Sequence, residues 1–162
     1  WSSDVCSSDL KIKEFLVSKG VKSGIINLGG NVLCIGSQPD GTPFKIGIQK
    51  PFSDRGETSI TINVSDKSVV SSGIYERYFK KDGILYHHIL NPKTGMPYKN
   101  GLVSVTILSD QSVDGDALST SCFALGAEKG MALVESLKNT EAVFITENGE
   151  FLYSSGFPVS DK

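Results

Sequence analysis

The sequence predicts an α+β domain with a mostly antiparallel sheet and about three helices. Three observations carry this. Short apolar runs follow one another from Gly24 to Leu108, broken by turns rich in Gly, Pro and Asp. A helical period then occupies one block, residues 114–137. A last pair of apolar runs closes across Asn148-Gly149, a favoured hairpin dipeptide. Strands in series with helices in a block define α+β rather than an alternating parallel fold.

The elements follow in order. Ile12, Phe15 and Leu16 recur at helical spacing among Lys11, Lys13 and Glu14, and Gly20 ends that helix. Gly24–Leu28 and Val32–Ile35 are strands joined by a tight turn at Gly29, Gly30 and Asn31. Gln38–Pro43 is a loop. Phe44, Ile46 and Ile48 alternate with Lys45 and Gly47, and Ile60, Ile62 and Val64 alternate in the same way. Both patterns describe half-buried strands. Ser68–Ser72 and Ile84–Ile89 are further strands, and Asn91–Pro97 is a loop by its two prolines and glycine. Leu102–Leu108 alternates again. Asp114–Leu125 and Ala127–Leu137 are helices separated by Gly126, the second weakened by Gly130. Ala142–Thr146 and Phe151–Ser154 form the closing hairpin.

Composition bounds the function. The chain has 162 residues, 16 basic against 18 acidic, and a net charge of −2. It is one domain of ordinary size with material for a real core. Phosphate-backbone binding needs clustered Lys and Arg, so this balance makes no case for nucleic acid. No apolar stretch is long enough to span a bilayer. Cys6, Cys34 and Cys122 form neither a zinc spacing nor a disulfide framework. Residues 1–10, WSSDVCSSDL, repeat Ser-Ser-Asp and lack the charge-then-apolar order of a signal peptide. They are expected to be a non-native scar, leaving residues 11–162 as the domain.

Four constellations hold possible chemistry. Asn27-Leu28-Gly29-Gly30-Asn31 either lets backbone approach a phosphate or is a plain hairpin turn. Ser71-Ser72-Gly73, followed by Tyr75, Glu76 and Arg77, either borders a nucleotide or is a strand exit. His87 and His88 are the only histidines. Strand neighbours point to opposite faces, so the two cannot share one metal in regular geometry. One of them is available as an acid, a base or a phosphate donor, or both are structural. Asp114, Asp116, Ser119 and Thr120 fall at a helix start, with Asp116 and Thr120 four apart on one face. A carboxylate and a hydroxyl suit Mg²⁺, which keeps waters and takes further ligands from substrate phosphates. The alternative is that acidic residues simply suit a first helical turn.

Taken together, NLGGNV, SSGIYERYF, YHHILNPKTGMP and SVDGDALSTSCFALG resemble, in that order, the ApbE family of FAD:protein FMN transferases. The resemblance runs from about Ile12 to Phe157. It implies an ApbE-like, T-fold-type domain, of which residues 11–162 are the C-terminal half of a single catalytic domain. It also implies Mg²⁺-dependent transfer of FMN from FAD to a threonine hydroxyl of an acceptor protein, with release of AMP. The implied acceptors are redox-complex subunits, and the implied location is extracytoplasmic, often as a lipoprotein. Residue by residue, Asp116 and Thr120 match the family's metal ligands and His88 a histidine implicated in catalysis. Asp116, through the metal shell, is the alternative base. Asn27, Gly29, Gly30, Ser72, Gly73, His88 and Ile89 match segments at the flavin site. Asn91 stands where many relatives have Asp. The competing readings are a Mg²⁺-dependent FAD pyrophosphatase and a non-catalytic FAD-binding protein.

Overall fold

The computed structural model describes residues 2–54 and 56–159, with the backbone alone described for 2–7. Cys6 therefore lies outside the described side chains. Among the described residues are three helices and ten strands. Helix α1 (Ser2–Ser18) leads into strands β1 (Gly24–Leu28), β2 (Asn31–Ile35), β3 (Phe44–Gln49), β4 (Thr58–Val64) and β5 (Ser68–Gly73). Then come β6 (Tyr78–Lys81), β7 (Ile84–His87), β8 (Leu102–Ser109), α2 (Ser112–Leu125), α3 (Ala127–Glu135), β9 (Glu141–Thr146) and β10 (Phe151–Tyr153). Six strands form one sheet in the order β1-β2-β5-β8-β9-β10, while β3–β4 and β6–β7 are separate two-stranded ribbons. Every strand pairing is antiparallel.

The sheet is covered on both faces. On one, Val105, Ile107, Ala142 and Phe144 pack against Phe123 of α2 and Val134 of α3. On the other, Val69, Leu108 and Val143 pack against Ile46, Ile48, Ile62 and Val64 of the β3–β4 ribbon. This is why all eight residues of β8 are buried, where alternation in the sequence suggested one solvated face. Of β8, Leu102, Val103, Val105 and Ile107 join the helix-side core and Leu108 joins the ribbon-side core.

Small residues set the spacing of the helices. A Cβ on Gly115 would fall 2.8 Å from Cγ2 of Val70, so glycine lets α2 lie close on β5. A Cβ on Gly130 would fall 2.8 Å from the carbonyl oxygen of Cys122 and 2.9 Å from the Phe144 ring. Gly130 thus weakens α3 as a helix but allows it to pack.

Two strands differ from the sequence reading, each for a physical reason. The β6 strand went unrecognised because all four of its residues are exposed and show no alternation. The Asp82-Gly83 turn, positive in φ at both positions, carried the hairpin signal. The strand read as ending at Ile89 stops at His87, where the chain turns toward an isolated bridge between Leu90 and Pro97. Finally, α1 runs through the segment set apart at the N-terminus. Asp9 there is fully buried and accepts hydrogen bonds from Asn31 Nδ2 (2.9 Å) and Ser112 Oγ (2.7 Å).

Candidate active site

The site grows from an unequal ladder. Strand β5 pairs with β8 from Ser68 to Gly73, but with β2 only at Val69 and Ser68. The β1–β2 hairpin therefore diverges from β5 and leaves the Val70–Gly73 edge facing a cleft of about 570 Å³. The β1–β2 turn forms one wall. Ile46–Gln49 and Gly56–Thr58 of the β3–β4 ribbon form another, and Tyr75–Arg77, His88, Asp116 and Thr120 complete it.

Of the nine residues that the resemblance matches to the family's site, eight line this cleft: Asn27, Gly29, Gly30, Ser72, Gly73, His88, Asp116 and Thr120; of the other candidates, His87, Asp114 and Ser119 do not. The ninth match, Ile89, does not. Its side chain is 5% exposed and belongs to the helix-side core, because it follows His88 on a segment whose residues alternate between core and solvent. Ile89 thus lies on the segment that reaches the cleft, with its own side chain in the core. The ribbon wall was missed in the sequence, where Ile46 and Ile48 read only as ordinary strand residues. Nothing in their local pattern marks a ligand.

The Gly-Gly segment is a hairpin turn that lies at the cleft. Gly29 and Gly30 have φ of 66° and 98°, the conformation of a tight two-residue hairpin turn. Asn27 Oδ1 accepts the Gly30 amide at 3.1 Å and fixes that turn. The turn consequently presents backbone without side chains to the cleft.

Ser72 ties sheet to helix. Its hydroxyl hydrogen-bonds those of Ser119 (2.8 Å) and Thr120 (3.1 Å), one turn along α2 from Asp116. Gly73 serves a neighbour: a Cβ there would sit 2.6 Å from the Tyr75 ring, so glycine lets Tyr75 fold back beside β5. Burial pushes the Tyr75 phenol above its ordinary value, which keeps it neutral and a donor.

The two histidines divide their roles. His87 is 7% exposed, with its ring edge-on to Phe123. Its Nδ1 accepts the Ile89 amide at 3.3 Å, so Nε2 carries the proton and donates to the Tyr98 carbonyl at 3.0 Å. Burial holds its pKa below the ordinary histidine value. His88 is exposed at the cleft. Its Nδ1 lies 3.3 Å from the Arg77 carbonyl, which can only accept. That bond places the proton on Nδ1 and leaves the Nε2 lone pair open.

Among the described residues, no three His, Cys, Asp or Glu side chains converge as a metal cluster. Where α2 meets β5 the cleft offers an oxygen-only set, the Asp116 carboxylate with the hydroxyls of Thr120 and Ser72, while Glu57, Glu76 and His88 line it from other segments. Such oxygen-only donors fit a hard cation that retains waters and suit a transition metal poorly. Cys34 and Cys122 are buried away from the cleft with thiols pushed up to about 11, so neither is a nucleophile or a ligand there.

Fold and site together define an α+β sheet domain with an oxygen-donor cleft at a splayed sheet edge. The chain belongs to the ApbE family, which it matches over residues 10–144. It is 41% identical over 145 residues to an FAD:protein FMN transferase of Klebsiella pneumoniae, covering 90% of this chain and 44% of that protein. It is 36% identical over 154 residues to an FAD:protein FMN transferase of Treponema pallidum, covering 90% and 42%. The crystal structure of the ApbE protein from Thermotoga maritima superposes with a TM-score of 0.79 at 32% identity, over 90% of this chain and 47% of that one. The apo form of the Pseudomonas stutzeri flavinyl transferase ApbE gives 0.77 at 29%, over 95% and 48%. The chain thus spans less than half the length of these relatives.

Proposed function

We propose that this chain carries the phosphoryl-transfer site of a Mg²⁺-dependent FAD:protein FMN transferase. The observation supporting this most strongly is the convergence of the Gly29-Gly30 turn, His88, and Asp116 with Thr120 on one cleft from three separate stretches of sequence. The relatives, FAD:protein FMN transferases, supply the reaction class.

The chemistry then follows from the side chains. FAD lies in the cleft with its diphosphate between the β1–β2 turn and the first turns of α2. Asp116 and Thr120 would hold Mg²⁺, which when bound would supply charge neutralisation to the diphosphate and the leaving AMP. Ser72 keeps the Thr120 hydroxyl in place. The acceptor's threonine oxygen forms the new bond to the FMN phosphorus while the bond to the AMP oxygen breaks. The threonine proton passes to Nε2 of His88, whose other nitrogen is occupied by the Arg77 carbonyl.

The test supplies FAD, Mg²⁺ and a candidate acceptor protein, then follows AMP by chromatography and protein-bound flavin by in-gel fluorescence. AMP together with labelled acceptor supports transfer. AMP without label converts the reading to a pyrophosphatase. Binding of FAD with no AMP reduces it to a flavin-binding protein.

A further inference from the structure

A second cavity, about 460 Å³, opens between the β6–β7 hairpin and the Leu90–Pro97 turn. Its walls are mostly apolar and face solvent: Phe79 is 60% exposed, and Leu90 and Met96 are each 51% exposed. Phe79 and Tyr86 stack at 5.1 Å with their rings 6° from parallel, so the hairpin wall is stiff. Arg77 and His88 line both this groove and the catalytic cleft, which makes His88 the junction between the two.

Charge around the groove is segregated. Residues 77–99 hold Arg77, Lys80, Lys81, Lys93 and Lys99 against a single acid, Asp82, in a chain whose net charge is −2. All five cations are exposed. The groove is therefore mostly apolar and the segments that form it are cationic, while the rest of the chain carries a net negative charge. This pattern selects an extended polypeptide segment carrying apolar side chains and carboxylates.

We infer that this groove docks the acceptor protein, taking an acidic, apolar segment that flanks the target threonine. The inference rests on the transferase reading, in which FAD fills the cleft and the hydroxyl must arrive at His88 from outside it. A groove that meets the cleft at His88 delivers the hydroxyl to the atom that takes its proton. The concave shape favours a peptide over a flat lipid surface.

The test uses a short fluorescein-labelled peptide holding one threonine among leucines and aspartates, with a counterpart carrying lysine for every aspartate. Anisotropy is read with wild-type protein and with K80E/K81E, each with and without saturating FAD. The acidic peptide is expected to bind about tenfold tighter than its lysine counterpart, with the advantage shrinking as salt rises. K80E/K81E should reverse that preference while leaving the FAD-induced melting shift unchanged, and FAD should not displace the peptide. Equal binding of both peptides, or an unaltered preference in K80E/K81E, overturns the inference. So does displacement by FAD, which would assign the groove to the donor. Co-sedimentation of wild type but not K80E/K81E with phosphatidylcholine–phosphatidylglycerol vesicles, without peptide preference, also overturns it in favour of a membrane surface. If the peptide results hold but FAD produces no melting shift, the transferase reading fails while the groove stands.

Discussion

Ser72 of β5 and Thr120 of α2 share a hydroxyl–hydroxyl hydrogen bond of 3.1 Å at the cleft. The bond joins the open sheet edge to the helix that carries Asp116, so any cation bound at Asp116 inherits a position fixed by the sheet. Thr120 is exposed, and its replacement should leave the fold intact. With FAD at a hundredfold excess over its Kd, binding to the native state alone stabilises by about 2.7 kcal/mol. We expect wild type to melt higher with FAD, and higher again with FAD and Mg²⁺. Asp116→Asn and Thr120→Val should lose the Mg²⁺ increment. If both variants keep the full increment, the cation is held elsewhere.

His88 provides the kinetic test. Its Nδ1 faces the Arg77 carbonyl and its ring is exposed at the cleft, so removing it should disturb chemistry more than structure. His88→Ala should bind FAD with wild-type affinity and slow flavin transfer by about 10²–10⁴-fold, the range of a lost general base. Single-turnover assays with saturating FAD separate the two quantities. An unchanged transfer rate would remove His88 from the mechanism and leave Asp116 as the candidate base.

His87 predicts a pH dependence of stability rather than of rate. Its folded pKa is held below the ordinary 6.5 by burial, and its Nδ1 accepts the Ile89 amide, a bond an imidazolium cannot accept. The unfolded chain therefore binds this proton first. Its stabilising contribution is complete above about pH 6.5 and is lost as pH falls from there toward the folded pKa. The slope is at most about 1.4 kcal/mol per pH unit for one group. Denaturant midpoints between pH 7.5 and 5 should fall in wild type and fall less in His87→Gln. Equal slopes in the two proteins would mean other groups govern the transition.

Much of this architecture was legible in the order of residues, and the parts that were not share a cause. Alternation located β3, β4 and β8, and Gly20 and Gly126 ended their helices, because those signals are local. The His87–His88 split was legible for the same reason, since neighbours on a strand must diverge. The ribbon wall was not. Ile46 and Ile48 border the cleft only because β3–β4 folds across the sheet, a long-range event with no local mark. Ile89 shows the opposite limit: a motif places the right segment at the site without saying which of its side chains turn inward. Only the β6 half of the Tyr78–His87 hairpin was missed, although Asp82-Gly83 announced the turn, because all four β6 residues are exposed and carry no buried stripe.

Gly130 sets two rules against each other. By helix propensity, Gly130→Ala should stabilise α3 by up to about 1 kcal/mol. By packing, the new methyl lies 2.8 Å from the Cys122 carbonyl oxygen and 2.9 Å from the Phe144 ring, both in the interior. The carbonyl belongs to the backbone of α2 and cannot rotate away, so α3 must lift off the helix and the sheet together. Overpacking of this kind costs about 1–3 kcal/mol and outweighs the propensity gain. The substitution should therefore lower stability by about 1–2 kcal/mol net, read as a lower denaturant midpoint at unchanged slope. Because Cys122 lies on the helix that carries Asp116 and Thr120, the displacement should also weaken the Mg²⁺-dependent part of FAD binding. A Gly130→Ala protein as stable as wild type would show that the α2–α3 contact yields more easily than the measured spacing implies.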